Sequence, residues 1–221
     1  MPNWITNKIK APSHVIAAML NAEGEVDFSM MSPFPGPCGK DWAGISMTAE
    51  TAAKAVLNVP FDSHPLIGAL EKANRDRVDI KALRDDDFEQ FVGMLRNYRA
   101  CGFLHPMDFN RKSWGTEWNA CRQSSNVEAG TAEFETAWAC PEPVLSILSK
   151  RFPDDVIEVT FADEDIGSNC GTFKLLNGRT FDSDVAGQWS RMSEEERAKW
   201  KAFARQVKGW ADEDDEEEQP A

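Results

Sequence analysis

The residues best suited to recognition or chemistry in this chain are a few tryptophans and one acid. Trp114-Gly115-Thr116-Glu117-Trp118 sets two indoles four residues apart around a hydroxyl and a carboxylate, and Phe134-Glu135-Thr136-Ala137-Trp138 again puts an indole near a carboxylate and a hydroxyl. An indole is a large apolar plate with one N–H donor. Trp114, Thr116, Glu117, Trp118, Glu135 and Trp138 therefore serve either as an interaction surface or as a cover that closes a sheet, with the indole N–H groups donating to acceptors such as Glu135. A Glu used in that way needs no catalytic role. The same residues admit another reading: a pocket near Trp114, Glu135 and Trp138 in a small-molecule- or nucleotide-handling enzyme.

Other chemistry is poorly supplied. His14, His64 and His105 fall in three different segments, and none has beside it the partner that a general base needs. The five cysteines, Cys38, Cys101, Cys121, Cys140 and Cys170, are odd in number and widely spaced. They read as reduced thiols rather than a disulfide framework. Cys101 and His105 are the nearest approach to metal-ligand spacing, and no second half accompanies them. Neither a nucleophile elbow, a phosphate-binding glycine loop, a zinc-protease helix nor a calcium loop is present. The expectation is no catalytic residue, no metal and no cofactor.

Charge narrows the partners. The 221 residues are 42% hydrophobic and 28% charged, enough for a real core, with a net charge of −13. Seven of those charges form one run, Asp212, Glu213, Asp214, Asp215, Glu216, Glu217 and Glu218, leaving −6 for the rest. Nucleic-acid affinity comes largely from Lys and Arg replacing counterions, so direct nucleic-acid binding is not expected. In a helix the acidic run would repel itself at i,i+4, so residues 212–221 are expected to be a disordered acidic tail. Such a tail either solubilises or competes for a basic groove. No stretch approaches the roughly 20 apolar residues of a membrane span, and the first residues lack the basic-then-apolar pattern of a secretory signal. The expected setting is the cytoplasm, without a membrane partner.

The elements that must position the tryptophans follow from periodicity. Trp4–Ile9 alternates, Val15, Ile16, Met19 and Leu20 form a helical stripe, and Val26, Phe28 and Met30 alternate again, predicting strand, helix, strand. A similar unit follows: Ala132, Phe134, Thr136 and Trp138 on one strand face, a helix opened by Pro141 and Pro143, and a strand through Ile157, Val159 and Phe161. Asn177-Gly178 predicts a hairpin between Thr172–Leu176 and Arg179–Phe181. The intervening stretch, about residues 36–125, is mostly helical in pattern and reads as a large insertion. Ser193 with Glu196 is a capping box for a C-terminal helix whose stripe is Trp200, Phe203, Val207 and Trp210, expected to pack on the body. The fold class is α+β: a ferredoxin-like split βαβ antiparallel sheet with helices on one face and the other open. Residues 1–211 are expected to form one domain.

Met1-Pro2-Asn3-Trp4, Trp114-Gly115-Thr116-x-Trp118-Asn119-Ala120, Phe134 to Trp138 followed by Pro141, and Cys170-Gly171 before Phe173 together resemble the YubB ferredoxin-like family of phage- and plasmid-encoded proteins. Ile5 stands where that pattern has Cys, and Glu117 where it has a basic residue. Residues 36–110 and the acidic tail have no counterpart in it. The resemblance implies a ferredoxin-like fold and a mobile-element origin, and no activity. With the acidic charge, it leads to an expected role as a non-enzymatic accessory protein of a bacteriophage or other mobile genetic element. Such a protein would bind and inhibit a host protein or nucleoprotein complex handling nucleic acid in defence, in the manner of an anti-CRISPR or anti-restriction protein. Acidic surface would steer the encounter and the helical insertion would supply shape.

Overall fold

A computed structural model describes residues 2–211, which divide into two compact units, one of residues 2–33 with 110–211 and one of residues 34–109. The run from Asp212 to Glu218 lies outside the described residues. In chain order the elements are β1 (Trp4–Lys10), α1 (Ser13–Ala17), α2 (Phe28–Met31), α3 (Met47–Val56), α4 (Pro65–Arg75), α5 (Asp85–Cys101), α6 (Pro106–Ser113), β2 (Cys121–Asn126), β3 (Thr131–Ala137), α7 (Glu142–Arg151), β4 (Ile157–Asp163), β5 (Cys170–Leu176), β6 (Arg179–Val185) and α8 (Glu194–Lys208).

In the first unit the six strands form one sheet in the order β2-β3-β1-β4-β5-β6, with every neighbouring pair antiparallel. Strand β1 sits between β3 and β4, and β2-β3-β1-β4 is the split βαβ order; the β5–β6 hairpin extends it. The fold is α+β and ferredoxin-like. Period-2 alternation sends Ile5, Ile9, Phe134, Val159, Phe173 and Leu175 to one face, where they join Val15 and Ile16 of α1, Phe28 of α2 and Val144, Leu145 and Leu148 of α7 in one buried cluster. The hairpin turn is Asn177-Gly178 with φ of 48° and 72°, the positive values that the strand twist favours.

Two elements differ from the expected pattern. Residues 26–31 are not a strand: only Val26 bridges, to Leu20, and the Asp27 carboxylate accepts from Ser29 N–H and caps the short helix α2. The strand expected there is supplied instead by β2, from within the stretch read as insertion. Its sequence, CRQSSN, carries no apolar alternation because β2 is an exposed edge with a register shift between Cys121 and Ser124.

The opposite face of the sheet is not wholly open. Helix α8 lies across β4 and β5, burying Trp200, Ala204 and Val207 with Ala162, Cys170 and Met192. Its capping box is formed: Ser193 Oγ accepts from Glu196 N–H at 3.2 Å and Glu196 Oε2 accepts from Ser193 N–H at 2.8 Å. Gly209, at φ 68°, ends the helix in the left-handed conformation, and Trp210 beyond it is half-exposed.

The second unit is helical. Ala49, Ala52 and Ala53 of α3 pack on Phe91 and Met94 of α5 and on Leu104, a core with alanine on one side. Asn97, fully buried, ties this unit together: its Nδ2 donates to the carbonyls of Cys38 and Leu104, and its Oδ1 accepts from Cys38 N–H. Glu50 on α3 faces the buried His105 at 3.8 Å and Lys54 at 2.6 Å. His105 first, and then Lys54, hold its carboxyl down to about 2 against the burial that opposes them.

Candidate interaction site

On the face of the first unit that α8 partly covers, strand parity puts Trp4 and Thr6 beside Glu135, with Thr6 directly opposite Glu135 in the β1–β3 register. The chain between α6 and β2 brings Trp118 onto the same face. That loop is pinned by polar side chains: Thr116 Oγ1 donates to the Ala137 carbonyl at 2.9 Å, Asn110 Nδ2 to the Glu117 carbonyl at 3.0 Å, and Arg111 Nε to Glu117 Oε1 at 2.6 Å. Asn119 fixes its far end, accepting from Phe28 N–H at 2.9 Å and donating to Asp27 at 2.8 Å.

The product is a row of rings. Trp118 lies 6.1 Å from Trp4 and 5.1 Å from Trp138, both pairs tilted, and the Arg122 guanidinium sits 4.9 Å over Trp4. Arg122 Nη1 also donates to Glu135 Oε2 at 2.6 Å, so the carboxylate is committed to a cation rather than to an indole. At the end of α8, Lys208 Nζ donates to the Trp4 carbonyl and to Thr6 Oγ1, and lies 5.1 Å from the Trp210 ring. Trp118 is 41% exposed and Trp138 is 46% exposed.

Trp138 has φ of 63°, a conformation that costs a bulky side chain roughly 1–2 kcal/mol. Its N–H donates to the Asn3 carbonyl at 2.8 Å, and its carbonyl accepts from Asn169 Nδ2 at 3.5 Å, which keeps the strained residue in place. A strained backbone that holds a large apolar ring half in water is a cost that packing alone does not offset, and such outliers cluster at functional sites. Chemically, the row offers flat π faces bordered by fixed cations. It can pack against apolar or planar groups of another molecule.

The predicted residues separate under this geometry. Trp118, Glu135 and Trp138 share the row. Trp114 does not: it is buried on the other face, its indole N–H donates to the Ser32 carbonyl at 2.8 Å, and its ring meets Phe28 edge-on. Glu135 alternates with core-facing Phe134, so the sheet stands between it and Trp114, and no pocket joins Trp114, Glu135 and Trp138. Thr116 and Glu117 hold the loop and belong to its scaffold. Sequence reasoning missed Arg122, Lys208 and Trp210 as neighbours of the row. Arg122 escaped because β2 has no strand pattern, and Trp210 because its place in the α8 stripe pointed inward. The parity that puts Trp4 on the Glu135 face was readable from the Trp4–Ile9 alternation.

Elsewhere on the sheet a shallow groove of about 530 Å³ includes Lys8, Lys10, Ser124, Glu133, Glu158 and Thr160. Lys8 is paired with Glu133 at 3.6 Å, so the groove has no surplus of positive charge. The histidines stay apart: His14 meets Asp155 at the surface at 2.7 Å, His64 is exposed, and His105 is buried in the other unit. Burial raises the thiols of Cys121, Cys140 and Cys170, the last to about 11, which keeps them protonated and weakly nucleophilic at neutral pH. Among the described residues no group of His, Cys, Asp or Glu is arranged to hold a metal ion, and no helix is long and apolar enough to cross a membrane.

The row can be set against known proteins. Residues 114–203 match the family model described as the ferredoxin-like domain in Api92-like protein. That segment holds Trp118, Arg122, Glu135 and Trp138; Trp4, Lys208 and Trp210 lie outside it. A search of curated proteins finds no match. Among solved structures, the crystal structure of the protein api92 from Yersinia pseudotuberculosis is similar at 10% identity and a TM-score of 0.36, covering 85% of this chain and 99% of that one. From Trp114 to Phe203, then, the chain is similar to the ferredoxin-like domain of Api92-like proteins, and most of the tryptophan row lies within that segment.

Proposed function

We propose that this protein is a non-enzymatic binding protein whose tryptophan row docks on another macromolecule. The observation that carries this reading is Trp138: a bulky ring in a left-handed conformation, pinned through its backbone and left half in water against an equally exposed Trp118. Tryptophans with a neighbouring Arg are the residue types that dominate binding energy at protein interfaces, and a pre-organised patch loses little entropy on association. The partner in this reading is a host protein or nucleoprotein complex that handles nucleic acid in the bacterial cytoplasm, inhibited by occupation. The surplus of acid, −13 over the chain, supports a target with a basic surface. The resemblance to phage- and plasmid-encoded proteins supports a role against host defence.

Affinity capture from a bacterial lysate at low and high salt tests the proposal. A single host complex, retained at low salt and released at high salt, is the expected result. Recovery of nothing specific at either salt, or turnover of a metabolite that disappears in Glu135→Gln, would overturn it.

A further inference from the structure

In the second unit, helix α4 is packed with its polar side inward. Gly68, Glu71 and Arg75, on one side of the helix, are its half-buried residues; Leu66, Ile67 and Leu70 point into water, 77%, 49% and 63% exposed. The inward side is specific. Arg75 donates to the Val59 carbonyl and lies 4.4 Å over the Phe61 ring, Glu71 accepts from Asp62 N–H at 2.9 Å, and a Cβ at Gly68 would come within 2.7 Å of the Asp62 carbonyl oxygen. Hydrogen bonds thus fix the helix so that its apolar stripe faces out, the reverse of an ordinary surface helix. The stripe occupies the first two turns of α4; at the other end of the helix, from Asn74 onward, a groove of about 400 Å³ runs between Thr48 and Thr51 of α3 and the side chains of Val78, Ala82 and Leu83.

We infer that this surface pairs with its own copy, the Leu66-Ile67-Leu70 ridge of each chain seating in the groove of the other about a two-fold axis. A surface with a ridge at one end and a groove at the other is self-complementary, as such an interface requires. Charge favours the same occupant. From residue 62 to 84 the chain carries Asp62, Glu71, Asp76 and Asp79 against Lys72, Arg75, Arg77, Lys81 and Arg84, a near-neutral surface on a chain of −13. Two copies can meet here without the repulsion their acidic surfaces would otherwise impose, whereas a basic target gains nothing from this patch. An 11-residue helix is about 16 Å long, so the contact lies at the small end of specific interfaces and the dimer is a weak one. This pairing is independent of the tryptophan row.

Sedimentation velocity on the full chain, from about 1 to 200 µM, tests the inference. The average mass should rise from 24.7 kDa toward twice that value with concentration. Both the ridge variant Leu66→Glu/Leu70→Glu and the groove variant Thr48→Arg, all at exposed positions, should remain monomeric over that range with unchanged circular dichroism. A wild-type chain that stays monomeric overturns the inference. So does a dimer that persists in either folded variant, because the chains would then be meeting through another surface.

Discussion

The two units solve the problem of apolar surface in opposite ways. The first buries large side chains, Phe28, Phe134, Leu145 and Ile157, between sheet and helices, and leaves its apolar surplus as a rigid row of rings on the far face. The second has a thin core with alanine on the α3 side, and leaves its surplus on a helix held by its polar side. In both cases the exposed apolar groups are fixed by hydrogen bonds to backbone: Trp138 through Asn3, and α4 through Val59 and Asp62. Exposure maintained by specific polar contacts is built in, and that distinguishes both surfaces from the scattered apolar residues any protein shows.

Stability should divide along the same line. Phe134→Ala empties the centre of the first unit and is expected to cost about 3–5 kcal/mol. Trp42 is the one tryptophan within residues 34–109, so its fluorine signal in the chain labelled with 5-fluorotryptophan reports the second unit alone. In urea, the circular dichroism of the sheet should lose its transition at lower denaturant in Phe134→Ala, while the Trp42 transition stays in place. Movement of both together would show one cooperative unit and erase the contrast.

Glu50 sharpens the contrast from the other side. Its folded carboxyl lies near 2, below the ordinary value of 4.5, so its contribution is present above pH 4.5 and is lost as pH falls toward 2. The full shift corresponds to somewhat more than about 3 kcal/mol, and solvent screening of this partly exposed carboxylate lowers it to about 2 kcal/mol. Acid titration followed at Trp42 should show this loss in the wild type, and Glu50→Gln should flatten it. An equally steep acid transition in Glu50→Gln would assign the acid sensitivity elsewhere.

Helix α8 closes part of the face that bears the row. Ser193→Ala removes the capping hydroxyl and is expected to cost about 1 kcal/mol, with the first turn of α8 fraying. Cys170, buried under Trp200, should then react faster with a thiol reagent. An unchanged labelling rate would mean that the cap does not control this cover.

The smallest stability effect is expected at Trp138, strained and half-exposed. Trp138→Gly relieves a positive φ and removes a ring pair worth about 0.5–1.5 kcal/mol, so the two changes nearly cancel. Thermal unfolding should move by no more than a few degrees. A large loss would make Trp138 a structural residue rather than a binding one.

How much of this was readable depends on which residues carry a pattern. Strands β1, β3 and β4 alternate because one face is buried, and the Asn177-Gly178 hairpin and the Ser193 capping box are local chemistry that needs no tertiary context. Strand β2 left no trace because an edge strand with a bulge places no apolar demand on its residues. Residues 26–31 misled because the alternation of Val26, Phe28 and Met30 is also compatible with a turn capped by Asp27. The candidate site was half legible: residue type singled out Trp118, Glu135 and Trp138, but nothing in the spacing of the 114–118 segment tells which indole goes to which side of the sheet. That is decided by long-range acceptors, the Ser32 carbonyl for Trp114 and the Ala137 carbonyl for Thr116. Arg122 and Lys208 reach the row from elements 86 residues apart.

The most direct test of the binding role compares wild type with Trp118→Ala/Trp138→Gly as baits in one lysate at low salt, with bound proteins quantified by mass spectrometry. One host complex should be enriched on the wild type and reduced at least tenfold on the variant, with both baits folded. Equal recovery on the two baits would contradict it, since the rings would then contribute nothing to the contact.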